Sequence, residues 1–268
     1  MMAPLRWPAE AIWEAVSPVL PDFSVEILPE LDSTNTELMR RARAGRLEPV
    51  LLVAERQTAG RGRLGREWHS AAGDSLTFSL GLPLAPPDWS GLSLAVGVSV
   101  AESLHKDLLL KWPNDLWVAG AGGDRKLGGI LIETASVGNQ RYAVIGIGLN
   151  VAARDGAGLA TPPACLHELE AGVDAPQALL RVVPALVDAV LAFGQFGFAP
   201  FQARFNARDA LRDRAVRVTD AQSGLLEGTA HGAGENGALL VHTALGMKQI
   251  TSSEVSVRPA TGTPAGAT

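Results

Sequence analysis

The stretch GRGRLGREWHSAAGDSLTFSL, residues 60–80, decides between two folds for this chain. Its first three glycines have the GxGxxG spacing of a dinucleotide-binding fingerprint, and an apolar, strand-like run precedes them. That fingerprint requires a helix that begins at the third glycine and carries apolar residues at helical spacing. Here the chain breaks at Gly73 before such a face develops, and residues 75–80 alternate polar and apolar side chains as a strand does. We therefore reject a Rossmann domain.

Fixed positive charge is concentrated in the same stretch. Three arginines and no acidic residue lie between Gln57 and Arg66, although the whole chain has a formal net charge of −5. Glycine lets backbone N–H groups approach a ligand closely, and arginine offers paired donors to phosphate or carboxylate. A solvated surface loop is the alternative interpretation of any short basic loop. The regular recurrence of glycine favours a site for a polyanionic ligand.

The composition indicates a folded protein with a substantial core. The chain has 268 residues, 47% of them hydrophobic, enough for one large domain or for a medium domain and a small one. Its net negative charge argues against nonspecific binding to duplex DNA. The single cysteine, Cys165, cannot form an intramolecular disulfide and has no metal-ligand spacing around it.

Neither end of the sequence suggests a targeting segment. The N-terminal residues lack the apolar core of a signal peptide, and no uninterrupted apolar run reaches the roughly 18–20 residues of a membrane span. We therefore expect a soluble, cytoplasmic protein without a membrane partner.

The periodicity of residues 25–151 predicts an α+β fold, a mixed or antiparallel sheet with packed helices. A capping box formed by Thr34 and Glu37 is expected to begin one helix, and Gly45 to end it. A second helix near 90–106 carries apolar residues four positions apart, which suits packing on a sheet. The predicted strands are 25–31, 50–54, 76–82, 108–112, 116–119, 127–134 and 142–151, and further helices are expected near 176–193 and 200–211.

The character of the chain changes at residue 215. Short strand-like segments at 215–218, 225–230, 238–242, 248–250 and 255–257 are separated by glycine-rich turns. This pattern predicts a small all-β barrel of about 50 residues. We expect one domain over 1–212, a second over 213–259, and a disordered tail over 260–268.

Small polar side chains stand at the start of the first predicted helix. Ser33, Thr34 and Asn35 have the composition of an ordinary N-cap. The same three side chains can also supply donors and acceptors to a compact polar group such as a urea. Gln57, just before the glycine–arginine loop, is the next candidate.

Further along the chain, cations and glycines open two predicted strands. Lys111 follows an apolar run and precedes a Pro-Asn-Asp turn, so it is either an ordinary strand end or a buried cation that needs an anion such as phosphate. Residues 125–133 begin with two cations and two glycines, which indicates a glycine bulge or a backbone kept bare for a ligand. Residues 146–150 place glycines on one strand face and end in an amide that could bind a base or a ribose.

Taken in order, these motifs closely resemble those of the biotin–protein ligases. They are STN at 33–35, GRGRxGRxW at 60–68, KWPND at 111–115, KLGGIL at 126–131 and GIGLN at 146–150. The resemblance is strong over 31–150 and weaker through 234–239 and 253–258. It implies a catalytic domain of the class II synthetase-like biotin/lipoate ligase type, followed by a small SH3-like barrel.

The resemblance implies a two-step reaction. Biotin and ATP give biotinyl-5′-adenylate and pyrophosphate, and one lysine of an acceptor protein then attacks the adenylate. The implied acceptor is the biotin carboxyl carrier domain of acetyl-CoA carboxylase or of another biotin-dependent carboxylase. Mg²⁺ is expected with the ATP, and no acidic residue stands out as its ligand. Preorganised cations suit the negative charge that develops at the α-phosphorus, and a closing loop would keep water from the labile adenylate.

The resemblance also assigns roles to residues. The implied catalytic residues are Arg63, Lys111 and Lys126. The implied biotin-binding residues are Ser33, Thr34, Asn35, Gln57, Arg61, Gly62, Arg63, Lys126, Gly128 and Gly129. The implied ATP-binding residues are Arg61, Arg63, Trp68, Lys111, Asn114, Asn150 and Arg258.

Two departures from the family bear on function. Leu64 stands where many relatives carry another basic residue, and the loop stays cationic without it. Relatives that repress transcription carry an N-terminal helix-turn-helix domain of about 60 residues, whereas the STN motif begins here at Ser33, so we expect no DNA partner. A homodimer is a possible assembly.

Two other functions are compatible with parts of this pattern. A lipoate–protein ligase or octanoyl transferase shares the catalytic fold, but the STN and GRGRxG motifs point away from it. A non-enzymatic sensor of biotin or its adenylate would bind without turnover and would have no reason to keep the complete set of cations at positions 61, 63, 111 and 126.

Overall fold

The computed structural model describes residues 5–120, 123–220, 224–251 and 255–259, which contain one sheet of seven strands and one of five. The predicted disordered tail and residues 253–254 of the C-terminal motif lie outside these residues.

The larger sheet is mixed, as the strand spacing predicted. Its order is β1-β2-β3-β7-β6-β5-β4; β1 and β2 run parallel, and the other neighbours pair antiparallel. Short turns join most of these strands, which is why antiparallel pairing prevails. The strands are β1 (Ser24–Leu31), β2 (Val50–Gln57), β3 (Ser75–Pro83), β4 (Leu108–Lys111), β5 (Asp115–Val118), β6 (Arg125–Val137) and β7 (Gln140–Asn150).

Helices cover both faces of this sheet. The five helices are α1 (Ala9–Val16), α2 (Thr34–Arg43), α3 (Leu92–Leu104), α4 (Ala175–Phe196) and α5 (Ala199–Asn206). Alternate residues of β7 divide between two hydrophobic clusters, because successive side chains of a strand point to opposite faces. Ile145 and Ile147 belong to the large core with α3 and α4, whereas Tyr142 and Val144 pack with Leu38 of α2. The polar start of α2 thus lies on the less covered face of the sheet.

The cap of α2 differs from the prediction by one residue. Ser33, not Thr34, is the N-cap, and its side chain accepts from the backbone N–H of Thr36. The predicted capping box is therefore wrong: Glu37 lies one position too far along and pairs instead with Arg41 (2.8 Å). The helix ends as predicted, with Gly45 in the left-handed region just beyond it (φ 83°).

Helix α4 is long and apolar enough to cross a membrane by length and composition. It nevertheless packs as a core helix, with Leu179, Val183 and Leu186 fully buried against the rest of the fold. Its start is fixed by a reciprocal capping box, in which Asp174 accepts from the Gln177 backbone (2.8 Å) and Gln177 accepts from the Asp174 backbone (3.3 Å).

Two helical predictions need correction. Helix α1 was not anticipated; it is short and buries only Ile12 and Val16 fully. Helix α5 ends at Asn206, not at 211. The residues after it run beside β4 instead: the Leu110 N–H donates to the Arg208 carbonyl (2.8 Å), and the Ala210 N–H donates to the Leu110 carbonyl (2.9 Å). This edge pairing supplies the hydrogen bonds that a longer helix would have made.

The C-terminal strands form an antiparallel sheet compatible with an SH3-like barrel. Its order is β11-β10-β9-β8-β12, with β8 (Ala215–Asp220), β9 (Gly224–Ala233), β10 (Leu239–Thr243), β11 (Gly246–Ile250) and β12 (Val255–Pro259). It packs against the larger part of the chain, since Val216 and Leu239 belong to the main core. The indole N–H of Trp112 also donates to the Gly237 carbonyl (3.0 Å), which joins the end of β4 to the turn before β10.

Candidate functional site

A cavity of about 320 Å³ lies among the segments that carry the sequence motifs. The start of α2, the glycine–arginine loop, the turn after β4 and the facing parts of β6 and β7 all line it. Two segments from later in the chain complete the wall, residues 159–163 and the end of β12 with Arg258. A concave site shared by many elements is the usual form of a small-molecule site.

Three side chains of the wall, Thr34, Asn35 and Gln57, are linked by hydrogen bonds that include the fully buried Ser79 behind them; we call these four residues the pocket floor. Gln57 Oε1 accepts from both the backbone N–H (2.8 Å) and the hydroxyl (3.2 Å) of Thr34. Ser79 Oγ lies 2.7 Å from Thr34 Oγ1 and 2.7 Å from Asn35 Oδ1. These bonds orient the side chains before any ligand arrives, and Thr34, Asn35 and Ser79 are also buried.

The amide of Asn35 is held on its other side by β6. Its Nδ2 donates to the Leu131 carbonyl (3.1 Å) and to Glu133 Oε2 (2.9 Å). Gly146 on β7 makes room for it, since a Cβ at that position would lie 2.1 Å from Asn35 Oδ1. Glycine at 146 therefore serves the close approach of a side chain rather than backbone freedom.

Other motif glycines allow close packing of a different kind. A Cβ at Gly148 would lie 2.5 Å from the indole of Trp68, so this glycine seats the tryptophan on β7. The indole Nε1–H of Trp68 is buried and has no hydrogen-bond partner within the described residues. A Cβ at Gly128 would lie 2.5 Å from the Gly148 carbonyl oxygen. Gly128 thus packs backbone against backbone and, unlike Gly129, does not line the cavity.

The glycine–arginine loop folds back on itself beside the pocket floor. The Gly62 N–H donates to the Arg66 carbonyl (2.7 Å), and the Trp68 N–H donates to the Gly60 carbonyl (2.9 Å). A short 3₁₀ turn, Arg63–Gly65, takes the place of the helix that a dinucleotide fold would need. The loop therefore presents its side chains to the cavity as an irregular, hydrogen-bonded hairpin.

Several cations border the cavity; we call four of them, Arg61, Arg63, Lys111 and Lys126, the cationic rim. Lys126 Nζ lies 2.6 Å from Asp115 Oδ1, and Lys111 Nζ lies 3.9 Å from Asp115 Oδ2. One carboxylate thus serves two lysines.

Burial makes this rim electrostatically unusual. Burial, together with the nearby charges of Lys126 and Arg258 and against the opposing effect of Asp115, lowers the pKa of Lys111 to about 8. Burial also lowers the pKa of Arg63, and Asp115 opposes that shift. An anion bound at the rim would relieve both costs.

The two asparagines assigned to the nucleotide line the cavity and are also bonded within the chain. Asn114 Nδ2 donates to the Ile130 carbonyl (2.9 Å). Asn150 is buried; its Nδ2 donates to the Ala164 carbonyl (2.9 Å) and its Oδ1 accepts from Arg154 (3.4 Å). These bonds hold β6 and the segment after β7 against each other at the cavity wall.

The structure brings the predicted site residues together, with Gly128 just behind the wall. Three residues matter more than their sequence context indicated. Ser79 was not proposed, and a polar residue inside an apolar strand was its only signal. Asp115 and Glu133 were considered only as magnesium ligands, whereas the structure pairs them with Lys126 and Arg61. No group of three or more metal-binding side chains occurs among the described residues, so the protein offers no dedicated cation cage there.

A mixed sheet with a neutral, preorganised pocket floor beside a cationic rim has the features of a domain that activates a small carboxylic acid. Comparisons with known proteins agree. Residues 28–150 match the biotin/lipoate A/B protein ligase family, and residues 213–258 match the biotin protein ligase C-terminal domain. The chain belongs to the biotin protein ligase family.

Similar proteins extend over most of the chain. It is 35% identical over 247 residues to the bifunctional ligase/repressor BirA of Escherichia coli, covering 88% of this chain and 75% of that protein. It is 32% identical over 250 residues to the biotin–[acetyl-CoA-carboxylase] ligase of Paracoccus denitrificans, covering 85% and 98%. Among solved structures, the Aquifex aeolicus biotin protein ligase in complex with biotin and ATP is similar with a TM-score of 0.73 and 30% identity, over 88% of this chain and 99% of that one.

Proposed function

We propose that this chain joins biotin to ATP and passes the biotinyl group to a carrier-protein lysine, using the pocket floor and the cationic rim for different parts of the reaction. The observation that carries the assignment is their adjacency: three oriented neutral side chains of the floor and the four cations of the rim border one cavity. Family membership supplies the chemistry, since the Aquifex relative is described with biotin and ATP.

The pocket floor suits the biotin head group. A urea presents two N–H donors and one carbonyl acceptor, and it carries no charge. The amide and hydroxyl groups of the floor can accept from the urea N–H groups and donate to its carbonyl, using the hydrogen-bonding capacity that is not taken up within the chain. Ser33, at the N-cap beside them, and Gly129, opposite Lys126, complete the biotin side of the cavity in this proposal.

The cationic rim suits the reacting centre. The biotin carboxylate oxygen attacks the α-phosphorus, pyrophosphate leaves, and negative charge accumulates on the phosphoryl oxygens. Lys126 and Lys111 lie together at one carboxylate and are placed to stabilise that charge, with Arg61 and Arg63 on the loop above. The carrier lysine then attacks the acyl carbon, and AMP leaves. Mg²⁺ usually reaches such sites through the substrate phosphates and one or two carboxylates; Asp115 and Glu67 are the carboxylates among the described residues that line the cavity.

The nucleotide is proposed to lie on the Trp68 side of the cavity. Trp68 offers an aromatic face, Asn114 and Asn150 border that region, and Arg258 reaches it from β12. We propose on this basis that residues 1–212 form the catalytic domain and residues 213–259 a second domain that supports ATP binding through Arg258.

The decisive experiment is incubation with ATP, Mg²⁺, labelled biotin and the carrier domain of an acetyl-CoA carboxylase. We expect label on the carrier with release of AMP and pyrophosphate, and none on a carrier whose acceptor lysine is replaced by arginine. Preferential use of lipoate or octanoate would favour the lipoyl branch. Biotin binding without pyrophosphate release would identify a sensor.

The remaining partner assignments belong to the same proposal. We propose that the chain works in the cytoplasm without a DNA or membrane partner, which the net charge of −5 and the packed α4 support. Sequence-specific retention of a promoter fragment at physiological salt would contradict this. The possible homodimer is to be tested by sedimentation with and without biotin.

A further inference from the structure

We infer that Glu133 is a positioning residue that couples the pocket floor to the glycine–arginine loop, so that biotin bound on the floor holds the loop closed. The inference rests on the proposed biotin ligase function. Glu133 lies on β6, on the same face as Leu131, and its side chain is 23% exposed.

The two carboxylate oxygens of Glu133 serve different parts of the site. Oε1 accepts from the Arg61 guanidinium (2.6 Å), and Oε2 accepts from Asn35 Nδ2 (2.9 Å). Arg61 lies on the loop, and Asn35 lies at the start of α2. Arg61 also donates to Thr36 of that helix, 25 residues earlier in the chain. One carboxylate on β6 therefore links the glycine–arginine loop to helix α2.

On the floor side, Glu133 determines how the Asn35 amide faces. Nδ2 has its two acceptors, the Leu131 carbonyl and Glu133, on the β6 side, so Oδ1 must face Ser79. A carboxylate can only accept in this pair, whereas a neutral amide at the same position could donate and favour the flipped Asn35. The charge of Glu133 thus fixes the donor and acceptor pattern that the head group meets.

On the loop side, Glu133 ties the glycine–arginine hairpin to β6. The loop's backbone bonds run within itself, from Gly62 to Arg66 and from Trp68 to Gly60. Arg61 is nearly half exposed, and its guanidinium reaches out of the hairpin to Glu133 and to Thr36 Oγ1 (3.2 Å). Charge-assisted bonds of this kind are about twice as strong as neutral ones, so the Arg61–Glu133 pair holds the loop more strongly than a neutral hydrogen bond would.

The test is Glu133→Gln, which keeps the size of the side chain and removes its charge. We expect the Kd for biotin to rise roughly tenfold and the KM for biotin to rise similarly, while kcat for pyrophosphate exchange changes much less. In the unaltered protein we expect bound biotin to protect the loop from trypsin, which cleaves after its arginines. In Glu133→Gln we expect this protection to be lost. Glu30→Gln is the matched control, because it removes a carboxylate–arginine pair of the same length (Arg56, 2.6 Å) from β1 and β2.

A second variant keeps the inference testable if Glu133→Gln does not fold. Arg61→Gln removes the same ion pair from its exposed side and should also abolish biotin-dependent protection of the loop. In the double variant with Glu133→Gln, the rise in the biotin Kd should be smaller than the product of the two single rises. Unchanged protection in either variant, or fully independent effects on the biotin Kd, would overturn the coupling. Failure of the unaltered protein to release pyrophosphate would instead count against the proposed function.

Discussion

The pocket floor and the cationic rim handle polarity in opposite ways, although they border the same cavity. On the floor, Thr34 and Asn35 are buried (4% and 3% exposed), and their polar atoms already have partners within the chain. On the rim, two lysines share one carboxylate, and burial disfavours the charge of Lys111. The floor is therefore complete before ligand binding, and the rim is complete only when an anion is present.

This difference separates recognition from chemistry. A preorganised, neutral floor discriminates by shape and hydrogen-bond pattern, because a wrong ligand cannot match the fixed donors and acceptors that the floor presents. The rim carries more positive charge than the Asp115 carboxylate neutralises. It therefore stabilises negative charge that develops in the transition state more than negative charge that is already neutralised in the ground state. Variants in the two regions should thus differ in which step they affect.

The largest effect is expected for Lys126→Ala. It should slow adenylate formation about 10²-fold, typical of the loss of one preorganised charge stabiliser, while the biotin Kd changes only a few-fold. Pyrophosphate exchange and calorimetry measure the two quantities. Lys106→Ala, an exposed lysine away from the cavity, is the control. Equal losses in the rate of adenylate formation and in biotin affinity would contradict the assignment of the rim to the chemical step and of the floor to biotin binding.

Gly146→Ala tests the floor from the opposite side. Its Cβ would lie 2.1 Å from Asn35 Oδ1, so the amide must move and lose its bond to Ser79. We expect biotin to bind about thirtyfold more weakly, the equivalent of roughly 2 kcal/mol, with ATP affinity nearly unchanged.

Gly97→Ala provides the matched glycine substitution on α3, since its Cβ would meet only flexible methyl groups (Leu110, 3.2 Å). An ATP affinity that falls together with biotin affinity in Gly146→Ala would show that the clash is not confined to the floor.

The third test uses pH on the rim. Burial lowers the pKa of Lys111 to about 8, so its ammonium is present below that pH and lost above it. We expect kcat/KM for ATP to fall as pH rises through about 8, by about tenfold per unit beyond, because this parameter follows the free enzyme. Lys111→Arg should retain the charge and move this limb upward. An identical limb in the arginine variant would assign it to another group.

The smallest effect is expected at Arg258, the outermost cation of the cavity. Arg258→Ala should raise the KM for ATP about three- to fivefold and leave the biotin Kd unchanged, as suits an exposed charge screened by solvent. Arg217→Ala is the control on the neighbouring strand β8, where Arg217 pairs with Glu227 (2.6 Å). A change in biotin affinity would indicate that Arg258 supports the cavity as a whole.

The sequence by itself determined the fold class and most of the site. Strand alternation after Gly73 excluded the Rossmann fold, and the structure has a mixed sheet there. The five motifs contain most of the predicted residues that line the cavity, because each motif is local and glycines such as Gly146 and Gly148 mark close approaches that a Cβ would block. These features depend on neighbours in the chain, so the chain order reveals them.

Only the tertiary structure decided which groups are partners. Ser79 and Glu133 gain their roles from pairing between β3, β6 and β7 and from α2 lying on one face, contacts across 44 to 98 residues of sequence. The cap of α2 likewise fell on Ser33 rather than Thr34, a difference of one residue that local pattern cannot resolve. Hydrogen bonds and ion pairs act over about 3 Å, so their partners are set by the register of distant strands, which no local motif encodes.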